Sequence, residues 1–296
     1  MRGTHPERAI EQAVEREGVV RKGDAVLVAC SGGSDSIGVA AILHAIQKTM
    51  ELRLTLAHVN HGVRASAWQD EAVVLRASAA LGVPVKIVAL QPERRDEATL
   101  RDARYDALVK TARECGCSVI ATGHNAEDQT ETVLLALFRG TGLQGLAGMP
   151  ARRPLAAGVD LVRPLMRFPR AEIREYVQNA GLPYSIDPTN ADPALRRNAV
   201  REALTALRPL FPGLDAAVAR AAQVVGDELA EAPMAALRRR VRDTLREHDA
   251  LRGVDFDHIE AAVRALERGG SGRFAMGPGL EVTIENGELT VHREMR

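Results

Sequence analysis

The sequence predicts an α/β protein: a doubly wound parallel sheet covered by helices, followed by a smaller, mainly helical C-terminal domain with a short β-hairpin. Three observations lead there. Short apolar runs alternate with amphipathic stretches through the first half of the chain, the pattern of parallel strands joined by helical crossovers. Polar, glycine-bearing clusters follow those runs, where an open parallel sheet presents its ligand-binding loops. Beyond residue 213 helical periodicity dominates until two strand-like runs flank Asn286-Gly287, a pair suited to a two-residue hairpin turn.

Four runs read as strands: Ala25–Cys30 (AVLVAC), Leu54–Val59 (LTLAHV), Val83–Val88 (VPVKIV) and Ser118–Thr122 (SVIAT). Between them Ser36–Gln47, Trp68–Leu81 and Ala98–Cys115 carry apolar residues at helical spacing. After residue 150 an RPL segment precedes a helix expected over Arg170–Ala180, the loop GLPYSIDPTNADP, and a helix starting near Ala194. The stretch Arg208–Gly213 (RPLFPG) is the boundary candidate, because proline and glycine interrupt regular structure. It divides the chain into domains 1–212 and 213–296. The hairpin strands are Leu280–Ile284 and Glu288–Val291.

Composition excludes several classes. With 46% hydrophobic and 26% charged residues over 296 positions, the chain is neither disordered nor fibrous. No apolar run reaches about 18 residues, the N-terminus is too charged for a signal peptide, and a cytoplasmic location follows with no membrane partner. Lys+Arg and Asp+Glu are 39 each, so a strongly basic nucleic-acid binder is not indicated. Cys30, Cys115 and Cys117 form neither a disulfide framework nor a CxxC pair; they read as small buried side chains. Lysine occurs only at Lys22, Lys48, Lys86 and Lys110, and the arginine excess suits phosphate contacts or reflects genome composition equally well.

The segment Ser31-Gly32-Gly33-Ser34-Asp35-Ser36 lies between an apolar strand and a helix. Glycines let backbone N–H groups turn inward, serine hydroxyls add donors, and the helix N-terminus supplies a positive dipole end, which together suit a phosphate. No lysine of a GxxxxGK[ST] loop is present, so this is not a Walker-type site. With Asp35 to hold magnesium, the loop fits a nucleotide whose β,γ-phosphates leave together. An ordinary turn with a serine cap is the bland alternative. Gly140–Gly145 (GTGLQG) matches the dinucleotide fingerprint, but it follows a helix rather than a strand, so a nicotinamide site is rejected.

A second cluster, Gly123 to Thr132 (GHNAEDQTET), starts where the fourth strand ends. Asp128 and Glu131 fall on one helix face, where paired carboxylates can hold a cationic amine, ligate a metal or act as general base; a solvated acidic first turn is the alternative. His124 suits a phosphate contact or a core hydrogen bond. His58 to Gly62 (HVNHG), with Arg64, follows the second strand at the position a nucleotide base would take, exposed loop polarity being the alternative.

SGGSDS, LAHVNHGVR, ATGHNAEDQTETVLLALFRGTGLQGLAGM, RPL and DPTNADPALRRNAVR, in that order, resemble the tRNA(Ile)-lysidine synthetase family of the N-type ATP pyrophosphatase superfamily. FDHIEAAVRALERGGSGRF and PGLEVTIENGELTV resemble that family's first C-terminal domain. The resemblance implies adenylation of the wobble cytidine of an AUA-decoding tRNA-Ile, then attack by the amine of L-lysine to give lysidine, AMP and pyrophosphate. It further implies that Ser31, Gly32, Gly33, Ser34, Asp35 and Ser36 hold ATP, with Asp35 supporting Mg2+. Ala57 and His58 would face adenine, His124 the α-phosphate side, and Asp128 and Glu131 the lysine amino groups. Arg197 would approach the activated base or AMP, while Arg163, Asp187, Asn190 and Asn198 would shape the tRNA-facing wall. Asn125, Glu127 and Pro188 depart from residues common in the family.

Two other functions are weighed. A tRNA thiolase of the same superfamily needs cysteines able to carry sulfur or a cluster, and Cys115-Gly116-Cys117 has the wrong spacing. A non-catalytic nucleotide sensor would need the loop but not Asp128, Glu131 and Arg197. The arginines Arg238, Arg239, Arg240, Arg242 and Arg246 suit either a tRNA backbone contact or a solvated helix face. Whether the chain acts alone or as a homodimer is open.

Overall fold

The computed structural model describes residues 6–60, 67–90, 97–185, 196–231, 233–251, 254 and 256–293. In chain order, α1 (Pro6–Glu17) precedes β1 (Ala25–Ala29), α2 (Ser34–Ala45), β2 (Arg53–Asn60), α3 (Ala67–Leu81), β3 (Val85–Ala89), α4 (Glu97–Glu114), β4 (Val119–Ala121) and α5 (Ala126–Leu137). Then come α6 (Leu143–Leu146), β5 (Arg152–Ala156), β6 (Val159–Val162), α7 (Arg170–Asn179), α8 (Arg196–Leu207), α9 (Leu214–Glu231) and α10 (Pro233–Glu247). The chain closes with α11 (Phe256–Glu267), β7 (Gly272–Gly277), β8 (Leu280–Glu285) and β9 (Glu288–Arg293).

Two compact units form, one from residues 1–132 and 149–219, the other from 133–148 and 220–296. The first holds a six-stranded sheet of order β3-β2-β1-β4-β6-β5. β1, β2, β3, β4 and β6 pair in parallel; β5 lies antiparallel on the edge. Strand order reverses between β1 and β4, so the loops leaving those two strands flank the switch point where such sheets bind ligands. The β5–β6 pair was not among the four strands read from sequence. Its residues RRPLA and VDLV carry charges and a proline, and a Pro154-containing strand is tolerated only because β5 is an edge.

The central strands are buried on both faces, as apolar runs without alternation should be. Helix α2 is buried from Ser36 through Leu43, because β1, β2 and α7 all lie around it. Gly38 makes the α7 contact possible: a Cβ there would fall 2.4 Å from Ile173 Cγ2. This pins the start of α7 near the start of α2, which the site below uses.

The second unit has its own core of Val241, Leu245, Ile259, Val263, Met276, Val282 and Ile284, formed by α10, α11 and a three-stranded antiparallel sheet β7-β8-β9. The expected hairpin is β8–β9, turning at Asn286 and Gly287 with φ of 52° and 80°. β7 is the addition, a strand opened and closed by glycine. The five arginines of α10 have partners within this unit: Arg238 pairs with Glu260, Arg239 donates to Leu229 O, Arg240 to Gly287 O, Arg242 to Gln144 Oε1 and Arg246 to Asp243. No described helix is long and apolar enough to cross a membrane.

Candidate active site

Residues 31–36 form the bend from β1 into α2. Ser36 ties it together: its Oγ donates to Gly33 O at 2.9 Å and accepts from Ser31 N at 3.1 Å. Gly32 adopts φ +96°, and a Cβ there would crowd Asp70 at 3.2 Å, so glycine is required twice over. Gly33 is the N-cap of α2, has extended backbone and offers no side chain to cap the first turn. The N-terminus of a twelve-residue helix therefore faces this bend without a side-chain cap, a ready acceptor for an anion.

Ala57 and His58, expected to face the base, lie beside it. Ala57 pairs with Ala29 across β2 and β1, and its carbonyl accepts from Cys30 N at 2.8 Å. His58 is buried, its Nδ1 2.8 Å from Cys30 O.

The bend leaving β4 touches the first bend at Gly123. A Cβ on Gly123 would stand 2.8 Å from both Asp35 C and Ser36 N, so only glycine lets the two backbones approach this closely. Beyond it, His124 Nδ1 lies 2.9 Å from Thr122 Oγ1. Burial, with the positive charges of Arg163, Arg197, Arg101 and Arg104, pushes the His124 pKa down to about 3, and the ring is neutral at physiological pH. Asn125 and Asp128 form a reciprocal cap on α5: Asp128 N donates to Asn125 Oδ1 at 3.0 Å and Asn125 N to Asp128 Oδ2 at 3.2 Å. The same Asn125 donates from Nδ2 to Asp35 Oδ2 at 2.9 Å.

Charged side chains then alternate from the bend at residues 31–36 to α8. Arg170 Nε is 3.2 Å from Asp35 Oδ2, and its Nη2 is 3.7 Å from Asp128 Oδ1. Arg201 Nη2 is 3.9 Å from the same Asp128 oxygen, and its Nε donates to Glu131 Oε1 at 2.7 Å. Arg197 Nε donates to the other Glu131 oxygen at 3.0 Å. The Glu131 side chain is only 2% exposed, so it is the anchor of this group. Both carboxylate oxygens of Glu127 accept from Arg170 N, capping α7. Burial raises the Asp35 pKa, with Arg170 opposing and Asp128 adding to the rise; burial likewise raises that of Glu127.

Arg163 is buried at the end of β6, donates from Nη1 to Pro150 O at 2.6 Å, and has its pKa lowered to about 10, first by burial. Asn198 is buried on α8. Asp187 and Asn190 lie outside the described residues. The sequence reading did not single out Arg170 or Arg201. Arg201 was findable, four residues after Arg197 and hence on the same helix face. Arg170 was not, since nothing local links it to Asp35, 135 positions earlier.

Among the described residues no group of three or more His, Cys, Asp or Glu side chains is arranged to hold a metal alone. Magnesium needs less, since it takes one or two carboxylates together with substrate phosphates and water. Asp35, in the bend at residues 31–36 with 22% of its side chain exposed, fits that requirement.

A doubly wound sheet with this glycine-serine bend at its switch point defines a PP-loop protein, and the PP-loop domain family matches residues 3–207. A solved structure titled U34-tRNA thiolase NcsA, from Methanococcus maripaludis, shares the fold at TM-score 0.62 and 20% identity, over 74% of this chain and 78% of that one. Curated tRNA(Ile)-lysidine synthases are much nearer in sequence. That of Salinispora tropica is 42% identical over 76% of this chain and 69% of its own length; that of Geobacter sulfurreducens is 33% identical over 94% and 67%. That of Dehalococcoides mccartyi is 37% identical over 75% of this chain, which spans half of that relative's length. The chain belongs to the tRNA(Ile)-lysidine synthase family.

Proposed function

We propose that this chain is an ATP-dependent carbon–nitrogen ligase that makes lysidine in the cytoplasm, adenylating the wobble cytidine of tRNA-Ile and joining L-lysine to it. The observation that carries this reading is the junction at Gly123 and Asn125, where an anion-binding bend and an acidic pocket share a wall. One face suits ATP, the other a diamine, and the reaction needs both side by side.

Cytidine O2 is a poor leaving group until it is esterified to phosphate, so activation precedes amine attack. The bend at residues 31–36 would hold the triphosphate, and Asp35 would hold magnesium, which supplies charge neutralisation for the departing pyrophosphate. Ala57 and His58 would bound the adenine site. Neutral His124 would give a hydrogen bond at the α-phosphate without adding charge. Asp128 and Glu131 would receive the lysine ammonium groups, Asp128 accepting a proton from the attacking amine. Arg197, freed from Glu131, would face the phosphate charge of the adenylated base. Asn198, Arg163, Asp187 and Asn190 would line the tRNA side, and residues 213–296 would extend the tRNA contact.

The thiolase alternative asks for sulfur-bearing cysteines. Burial pushes the Cys30 thiol up to about 12 and raises that of Cys117, which are inert settings for a nucleophile. The protein incubated with ATP, labelled lysine and total tRNA should label one isoleucine tRNA and release AMP. Unlabelled tRNA with undiminished pyrophosphate–ATP exchange would point to a different nucleophile; no exchange at all would leave a nucleotide sensor.

A further inference from the structure

Among the described residues, Arg170 is the cation that pairs with a carboxylate from each half of the proposed site. Its guanidinium lies 3.2 Å from the loop carboxylate Asp35 and 3.7 Å from Asp128, while its backbone N–H is held by Glu127. It stands at the first turn of α7, which the Gly38–Ile173 contact fixes against α2. Its carboxylate partners are mostly buried, with 22% and 14% of their side chains exposed, so a positive charge between them relieves repulsion that water screens weakly.

Both carboxylates are ones to which the proposed reaction brings a cation: a divalent ion at Asp35 and an ammonium group at Asp128. We infer that Arg170 is a positioning residue that occupies both cation positions in the empty protein and yields Asp35 when the divalent ion binds. It keeps the two carboxylates aimed and charge-balanced before the substrates arrive. Once displaced, a guanidinium at this place remains beside the phosphate loop, where it offsets the negative charge of the triphosphate. The inference rests on the reading of Asp35 as the metal-holding group and assigns no bond-making step to Arg170.

Manganese stands in for magnesium, and its binding to the ATP-free protein is read by electron paramagnetic resonance, which requires no turnover. If Arg170 competes for Asp35, R170M should bind Mn2+ about three- to tenfold more tightly than wild type, and R170K should fall between. D35N should bind weakly whether or not Arg170 is present, so R170M gains nothing in that background. Weakened binding in D35N together with unchanged binding in R170M and R170K would keep the metal reading and overturn the inference. Equal affinity in wild type, D35N and R170M would overturn both. R170K, which retains charge and most of the stem, keeps the test available should R170M fold poorly.

Discussion

Arg201 donates from Nε to Glu131 Oε1 across 2.7 Å, joining the middle of α8 to the second turn of α5. With Arg197 on the other oxygen, a carboxylate that is 2% exposed is fully engaged before any substrate arrives. On the proposed function, lysine binding at Glu131 would be an exchange of cations, not the filling of a bare acidic pocket.

Replacing Glu131 by Gln should cost stability as well as activity. The two arginines would face each other without their anion, and both are about a third exposed, so water offsets part of the loss. Urea denaturation should show a decrease of about 1–3 kcal/mol. No decrease would mean that the two pairs contribute nothing in solution.

Asp128→Asn should separate the two partial reactions. Lysine attachment should fall by roughly a hundredfold, the scale of a lost general base, while pyrophosphate–ATP exchange in the presence of tRNA falls far less. Equal losses would place Asp128 in adenylation instead.

Gly123→Ala tests the contact between the two bends. Its Cβ would meet backbone atoms of Asp35 and Ser36 at 2.8 Å, and backbone cannot swing aside as a side-chain tip can. A destabilisation of roughly 1–3 kcal/mol and weaker ATP binding should appear together in thermal melts with and without ATP. Normal ATP protection in this variant would show that the bend does not carry the nucleotide.

His124 should make stability depend on pH. Its folded pKa of about 3 lies below its ordinary 6.5, so between these values the unfolded chain binds the extra proton. The contribution is complete above pH 6.5 and is lost progressively as pH falls toward 3. His124→Gln should flatten that part of the stability profile, measured by urea unfolding across pH. An unchanged slope would show that the ring titrates normally.

The cysteines should be dispensable. C115S/C117S should retain lysine attachment, and buried Cys30 should resist iodoacetamide until the protein unfolds. Loss of activity in the double variant, with the fold intact by circular dichroism, would revive sulfur chemistry.

The sequence by itself determined the four parallel strands β1 to β4, the helices between them, the glycine-serine bend at residues 31–36 and the Asn286–Gly287 turn. These are local matters: apolar runs, helical spacing and glycine positions act through neighbours in the chain. It determined also that Asp128 and Glu131 share a face, because three residues make nearly one helical turn. Only the tertiary structure decided what those carboxylates meet. Arg170 and Arg201 reach them from α7 and α8, placed there by packing such as Gly38 against Ile173 that no local pattern encodes. The edge strand β5 was likewise hidden, because an edge tolerates proline and charge that a central strand excludes, and edge or centre is settled only when the sheet assembles.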